Sequence, residues 1–256
     1  MYLLTIITVT YNAEKYLNRT LRSVQTALSN TNNSAQVEYL IIDGNSKDDT
    51  LKIAGQYPKM ITGIVSEPDR GLYDAMNKGL ALATGRYVWF LNAGDEIYDK
   101  NVLFQLFENL KTNADVLYSD AMLVRDDGSE VGLRSKFTPH DLPKHLKWQD
   151  FALGMKVCHQ AFIAKKSIAS NFDILNLSAD IDWEIKCLKK ANQVQFLDFI
   201  LCKYLMGGIS IKNHRRSLFD RFKVLKKHFG LIPASLNQLL IFWRGFWFAR
   251  SNGKYW

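Results

Sequence analysis

The sequence predicts an α/β protein in which a mostly parallel sheet is flanked by helices and followed by a basic helical C-terminal tail. Two observations carry this. Apolar runs at residues 3–9, 37–42, 60–65 and 87–91 alternate with helix-compatible segments near 13–29, 49–57, 72–83 and 101–111, the βαβα order that builds a parallel sheet. The charge is also divided. Residues 212–256 hold ten Lys or Arg against one acid, Asp220, a net +9, leaving −1 for residues 1–211 of a chain whose total is +8.

The first run, Met1-Tyr-Leu-Leu-Thr-Ile-Ile-Thr-Val9, lacks a basic leader and a small-residue cleavage site, so a strand is expected rather than a signal peptide. It leads into Thr10-Tyr-Asn-Ala-Glu-Lys15, with neither a Gly-x-Gly-x-x-Gly turn nor a Walker loop, which weighs against a dinucleotide-binding domain. The second run ends at Asp43, followed by Gly44-Asn45-Ser46. This pattern reads either as an exposed carboxylate at the sheet edge or as a turn and helix cap, where Asp and Ser are favoured without any ligand. From Leu72 the positions Leu72, Ala75, Met76, Gly79, Leu80 and Ala83 fall on one helical stripe, with Gly85 as the stop. Residues 87–91 read as a strand buried on both faces, so Asn92-Ala-Gly-Asp95 lies at its carboxyl end, where open parallel sheets bind ligands. A carboxylate there can hold a divalent cation against a diphosphate.

Beyond residue 115 the pattern changes. Residues 116–118 predict a short strand, and Asp126-Asp-Gly128 predicts the turn of a hairpin between 122–124 and 131–133. Residues 139–158, with Pro139 and Pro143, read as an irregular mobile segment. The chain then returns to an acidic cluster, Ala179-Asp180-Ile-Asp-Trp-Glu184. We divide it into 1–115, 116–211 and the tail 212–256.

With 47% apolar residues the chain can bury a full core. Cys158, Cys187 and Cys202 form no metal-ligand pair, which argues against a disulfide framework or zinc site and for a reducing, cytoplasmic setting. No segment reaches the ~20 apolar residues of a spanning helix, so a soluble or peripheral protein is expected. Because the basicity belongs to the tail, no nucleic-acid partner is expected of the main domain.

Three blocks, Ile6-Ile-Thr-Val-Thr-Tyr-Asn12, Ile41-Ile-Asp-Gly-Asn-Ser-Lys-Asp-Asp-Thr50 and Glu67-Pro-Asp-Arg-Gly-Leu-Tyr-Asp-Ala-Met-Asn-Lys-Gly79, occur in that order ahead of Asn92-Ala-Gly-Asp95. In them the chain resembles the family 2 glycosyltransferases of the GT-A fold, with its Rossmann-like sheet, especially bacterial enzymes of exopolysaccharide and O-antigen assembly of the colanic-acid type. The resemblance covers most of residues 3–100, is patchier to about 210, and leaves the tail unexplained.

The resemblance implies that Thr10, Tyr11 and Asn12 lie at the donor nucleotide, that Asp43 accepts a hydrogen bond from uracil, and that Asp69 or Arg70 lies by the base and phosphates. Arg70 and Lys78 would offset the diphosphate charge, although a lysine on a polar helix face is usually only solvated. Where many relatives have Asp-x-Asp-Asp, this chain has Asn92, Ala93, Gly94 and Asp95. Asp95 is thus the sole carboxylate for Mg²⁺ or Mn²⁺, sufficient for an ion that keeps several waters and takes substrate phosphates as ligands. His214 is a further candidate for the metal shell. The acidic cluster aligns with the motif that supplies the catalytic base, Asp180 first and Asp182 second, unless these acids only complement a helix N-terminus. His159, Gln160 and Trp183 are expected to line the acceptor cleft.

The resulting expectation is an inverting transferase of a hexose or N-acetylhexosamine from a nucleotide sugar, UDP foremost, to a lipid-linked or oligosaccharide acceptor in surface-polysaccharide assembly. The rivals are a catalytically weak scaffold, permitted by the reduced metal motif, and a sugar-phosphate nucleotidyltransferase, disfavoured because no Gly-rich basic loop follows the first strand. In the tail, Leu218, Phe222, Leu225 and Phe229 form an apolar stripe edged by Arg215, Arg216, Arg221, Lys223, Lys226 and Lys227, and aromatic residues follow Pro233. That pattern predicts docking on an anionic surface at the inner face of the cytoplasmic membrane. Packing on the domain or against a second copy in a homodimer is the alternative.

Overall fold

The computed structural model describes residues 1–207 and 213–252. Its main sheet has seven strands in the order β10-β6-β9-β4-β1-β2-β3. At its centre are β1 (Leu4–Thr10) and β2 (Val37–Asp43), parallel and buried throughout, with β3 (Gly63–Ser66) and β4 (Tyr87–Phe90) parallel outside them. The chain fills one side of β1 with β2 and β3 before crossing to β4 on the other. The order therefore reverses between β1 and β4, the switch point at which such sheets open a crevice. Helices α1 (Glu14–Ser29), α2 (Thr50–Ala54), α3 (Leu72–Leu82) and α4 (Val102–Leu110) connect or follow these strands, each where the periodicity predicts one. α2 is shorter than expected because Gly55 and Pro58 end it.

The second half extends the same sheet. β6 (Val116–Tyr118), β9 (Phe162–Lys165) and β10 (Val194–Phe196) complete it, and β9 runs antiparallel to both β4 and β6. Trp89 pairs with Ile163, so residues just before β9 meet residues just after β4. That inversion brings His159 and Gln160 to the loop 92–95. A small four-stranded sheet holds β5 (Glu96–Ile97), β11 (Cys202–Leu205), β7 (Ala121–Val124) and β8 (Glu130–Leu133), the last two forming the expected hairpin. A helical turn, α5 (Arg134–Phe137), follows it.

Helix α6 (Ala179–Lys190) carries the acidic cluster. The tail folds as a helical hairpin of α7 (His214–Phe229) and α8 (Leu231–Asn252), turning at Gly230, whose φ of 87° suits glycine. The outcome for the tail differs from the amphipathic reading of its first helix. Leu225 is fully buried, and it joins Ala234 and Ile241 of α8 in a small core with Phe222 and Phe229. The stripe of α7 thus closes the hairpin instead of facing outward. Phe229 also stacks on Trp148 at 5.4 Å, within a short 3-10 helix at Trp148–Leu153 that packs on α6, α7 and α8. The segment read as mobile is held there by packing, with Leu146 and Phe151 buried.

Candidate active site

The loops after β1 and β2 are stitched together. Asn12 and Asn45 adopt positive φ of 47° and 64°, conformations that Asn tolerates better than other side chains. The Asn12 amide N–H donates to Ser46 Oγ at 2.8 Å, and its side-chain oxygen accepts from the Lys47 N–H at 2.9 Å. Asp43 corrects the expectation of an exposed carboxylate, since it is 1% exposed. It accepts from Thr10 Oγ1 at 2.8 Å, Ser66 Oγ at 2.7 Å, and the Ser46 N–H and hydroxyl at 2.9 and 2.5 Å. Burial raises its pKa, but these donors outweigh burial and hold it below the ordinary carboxylate value. Thr10 is likewise buried and serves to hold Asp43.

Above them Tyr11 is 66% exposed and Asp69 is half-buried. They converge over Gly44, where an added Cβ would stand 2.4 Å from Asp69 Oδ2 and 3.2 Å from Tyr11 Cδ2. Arg70 is exposed and donates to Asp74 at 3.1 Å. Lys78 is neither simply solvated nor free for phosphate: its Nζ contacts Glu67 at 2.8 Å and donates to the Pro68 carbonyl at 2.8 Å, anchoring the loop ahead of α3.

Asn92, Ala93, Gly94 and Asp95 form the wall after β4. Thr20 of α1 anchors them, accepting from the Gly94 N–H at 2.9 Å and donating to the Asp95 carbonyl at 2.7 Å. The Asp95 carboxylate accepts from the Leu205 N–H and from Gln160 Nε2, both at 2.9 Å. Burial nevertheless pushes its carboxyl up to about 6. Beside it Asn92 Nδ2 lies 3.0 Å from His159 Nε2, and His159 Nδ1 lies 3.7 Å from Asp180 Oδ2. Burial works against charge on His159, and Asp180 overcomes it and raises its pKa. Two contact pairs thus lie side by side here: Gln160 holds the Asp95 carboxylate, and its chain neighbour His159 joins Asn92 to Asp180.

Among the described residues no three His, Cys, Asp or Glu side chains gather as a metal site. The oxygens present do fit a hard cation shared with a substrate. Asn92 Oδ1 and Gln160 Oε1 are buried without hydrogen-bond partners, on residues that contact the Asp95 N–H and carboxylate respectively, and with that carboxylate they offer neutral and anionic oxygens of the kind that suits Mg²⁺ or Mn²⁺. The His214 side chain lies outside the described residues, as do residues 208–212.

Helix geometry separates the two aspartates of α6, since positions two apart point to opposite sides. Asp180 turns to His159. Asp182, the alternative base, is 2% exposed and surrounded by Lys186 at 2.6 Å, Lys227 at 2.9 Å and His228 at 2.7 Å. Trp183 is also corrected: it is fully buried, stacked on Phe172 at 5.0 Å, and belongs to the core beneath the cleft. Glu184 is buried with both carboxylate oxygens unpartnered, and burial raises its pKa well above the usual range. The sequence reading missed Tyr73. It stacks on Phe172 at 5.5 Å and lies close enough to Asp180 for the carboxylate to raise its pKa further, after burial. Its place in the apolar first turn of α3 concealed it.

A mostly parallel sheet extended by an antiparallel strand, with a carboxylate loop after β4 at the switch point, is the GT-A fold. Residues 5–172 match glycosyl transferase family 2, and the chain belongs to that family. A PGL/p-HBAD biosynthesis glycosyltransferase of Mycobacterium bovis is 29% identical over 184 residues, 68% of this chain and 67% of its own. The UDP-Glc:alpha-D-GlcNAc-diphosphoundecaprenol beta-1,3-glucosyltransferase WfgD of Escherichia coli is 25% identical over 235 residues, 90% of this chain and 85% of its own. Among solved structures, S. aureus TarS 1–349 in complex with UDP-GlcNAc matches with a TM-score of 0.71 at 21% identity, covering 98% of this chain and 74% of that one. The mannosyltransferase PcManGT from Pyrobaculum calidifontis, in complex with GDP-Man and Mn²⁺, matches with a TM-score of 0.62 at 14% identity over 98% and 76%. These structural likenesses show the fold.

Proposed function

We propose that the protein transfers a hexose or N-acetylhexosamine, with inversion, from a UDP-sugar to a hydroxyl of a lipid-linked saccharide during surface-polysaccharide assembly. The observation that carries this reading is the placement of Asp180. Its carboxylate lies 3.7 Å from His159 Nδ1, and His159 Nε2 lies 3.0 Å from Asn92, in the same loop as Asp95. UDP is favoured because WfgD is named as using UDP-Glc and TarS is bound to UDP-GlcNAc; the lipid-linked acceptor is favoured by the diphosphoundecaprenol acceptor in WfgD's name.

In this reading Tyr11 and Asp69 contact the base, Asp43 shapes that end of the cleft from beneath, and Arg70 exchanges Asp74 for the diphosphate. Asp95, with the oxygens of Asn92 and Gln160, would hold Mg²⁺ or Mn²⁺. When bound, the ion supplies positive charge against the diphosphate. Asp180 takes the proton of the acceptor hydroxyl as its oxygen bonds to the anomeric carbon. The bond from that carbon to the diphosphate oxygen breaks, and its electron pair leaves with the nucleoside diphosphate. Product analysis with a panel of UDP- and GDP-sugars on lipid-diphosphate saccharides tests the reading. A linked disaccharide from one UDP-sugar supports it, and nucleotide binding without turnover across the panel sinks it in favour of the scaffold.

A further inference from the structure

The hairpin of α7 and α8 leaves one large apolar face that no other described residues cover. Along α8 the inward positions are Ala234 and Ile241, which close the small core, and Arg244, which donates to the Leu153 carbonyl at 2.8 Å. The opposite side carries Ile232, Leu236, Leu239, Trp243 and Phe246, spaced as one helical stripe and exposed by 47–74%. A helix apolar on all sides is normally covered on all sides. Half of this one is not. Scattered exposed apolar residues need no explanation, but a continuous row ending in adjacent aromatics marks an interaction surface.

The charge around the row selects its partner. Residues 212–256 carry +9, and Arg215, Lys226 and Arg250 are exposed on the same hairpin. A two-fold contact with a second copy would set this surface against itself and bring two such tails together. An anionic bilayer offers the complementary sign together with an apolar layer that accepts Leu, Trp and Phe at the headgroup boundary. No helix among the described residues is long and apolar enough to cross a membrane. The geometry points to α8 lying in the plane of an anionic membrane surface, its Ile232–Phe246 face inserted and the basic residues of the hairpin over the headgroups.

The surface is not a loose tether. α7 reaches α6 through Lys227 and His228 on Asp182, and Asp220 of α7, 2% exposed, accepts from the Leu177 N–H at 3.1 Å. α8 packs on the segment at Trp148–Leu153. Docking would therefore orient the half of the protein that carries Asp180. The inference concerns lipid binding alone and goes beyond the sugar-transfer reading, so either can fail without the other.

Flotation of the full-length protein with phosphatidylcholine vesicles, with and without roughly one-third phosphatidylglycerol, tests it. The protein should float only with the anionic vesicles, and less as salt is raised. Leu236→Gln/Leu239→Gln/Trp243→Gln should cut the bound fraction by about tenfold or more with an unchanged melting temperature, and Arg215→Glu/Lys226→Glu/Arg250→Glu should do likewise. Since the native cysteines are buried, Leu239→Cys can be labelled selectively with an environment-sensitive dye. Quenching of that dye by spin-labelled lipid reports insertion even where the triple variant folds poorly. Equal flotation of all variants, an unquenched dye, or a vesicle-indifferent dimer that the apolar variant dissociates would overturn the proposal.

Discussion

His228 Nε2 lies 2.7 Å from Asp182 Oδ1, and through this contact the C-terminal hairpin grips the helix that presents Asp180 to the cleft. Lys186 and Lys227 complete the cage around the carboxylate. Burial alone would raise the Asp182 pKa. Its hydrogen bonds outweigh that and hold the carboxyl well below the usual range.

Because the folded-state pKa of Asp182 is depressed, its stabilisation is present above the unfolded value of about 3.9 and is lost as pH falls through the folded value. Asp182→Asn should lower stability by about 2 kcal/mol at neutral pH, with Lys227 half-exposed and partly screened. Urea melts should show the gap narrowing below about pH 3.9. A gap that does not change with pH would remove the charge from this account.

Asp180→Asn should lower kcat by about 10²-fold or more while UDP affinity hardly changes, the mark of a lost general base. A nearly normal Asp180→Asn beside a folded but inactive Asp182→Asn would exchange their roles.

Asp95→Asn should remove most turnover without unfolding the protein, since an amide can keep one of the contacts now made by Leu205 and Gln160. Activity should require Mg²⁺ or Mn²⁺. Full turnover of wild type in excess chelator would show that no metal acts here.

Gly44→Ala should push Asp69 and Tyr11 apart, because the new methyl would meet Asp69 Oδ2 at 2.4 Å. The expected result is a rise of about tenfold in donor KM, equivalent to about 1.4 kcal/mol, with little change in melting temperature. An unaltered KM would place the nucleobase elsewhere.

Trp183→Ala should cost about 3–5 kcal/mol of stability, the range for truncating a large buried aromatic. A loss confined to acceptor KM would return this residue to the cleft wall.

Much of the fold was legible from local pattern. The four apolar runs of the first half became β1 to β4, and the stripe from Leu72 became α3, because burial on a strand or helix leaves a periodic trace along the chain. The position of Asp95 followed from the strand before it. His159 and Gln160 were legible as a pair, but the reason they meet Asn92 and Asp95 was not, since it depends on β9 entering the sheet antiparallel between β4 and β6. Tyr73 was hidden because an apolar helical position looks the same whether it only fills the core or also turns a hydroxyl to the Leu177 carbonyl beside the acidic cluster.

By itself the sequence determined the alternating order of elements, the carboxylates available at strand ends and the concentration of positive charge in the tail, all properties of neighbours along the chain. Tertiary structure alone decided which carboxylates are open to chemistry. Asp43 is enclosed by Thr10, 33 residues before it, and Ser66, 23 residues after it, while Asp182 is held by His228, 46 residues away. The same holds for the tail: α7 and α8 both carry apolar stripes, and only their packing on each other and on Trp148–Leu153 turned the stripe of α7 inward and left that of α8 exposed. The physical reason is common to these cases. A charge or an apolar face is assigned by the groups that surround it in space, and no periodicity along the chain records them.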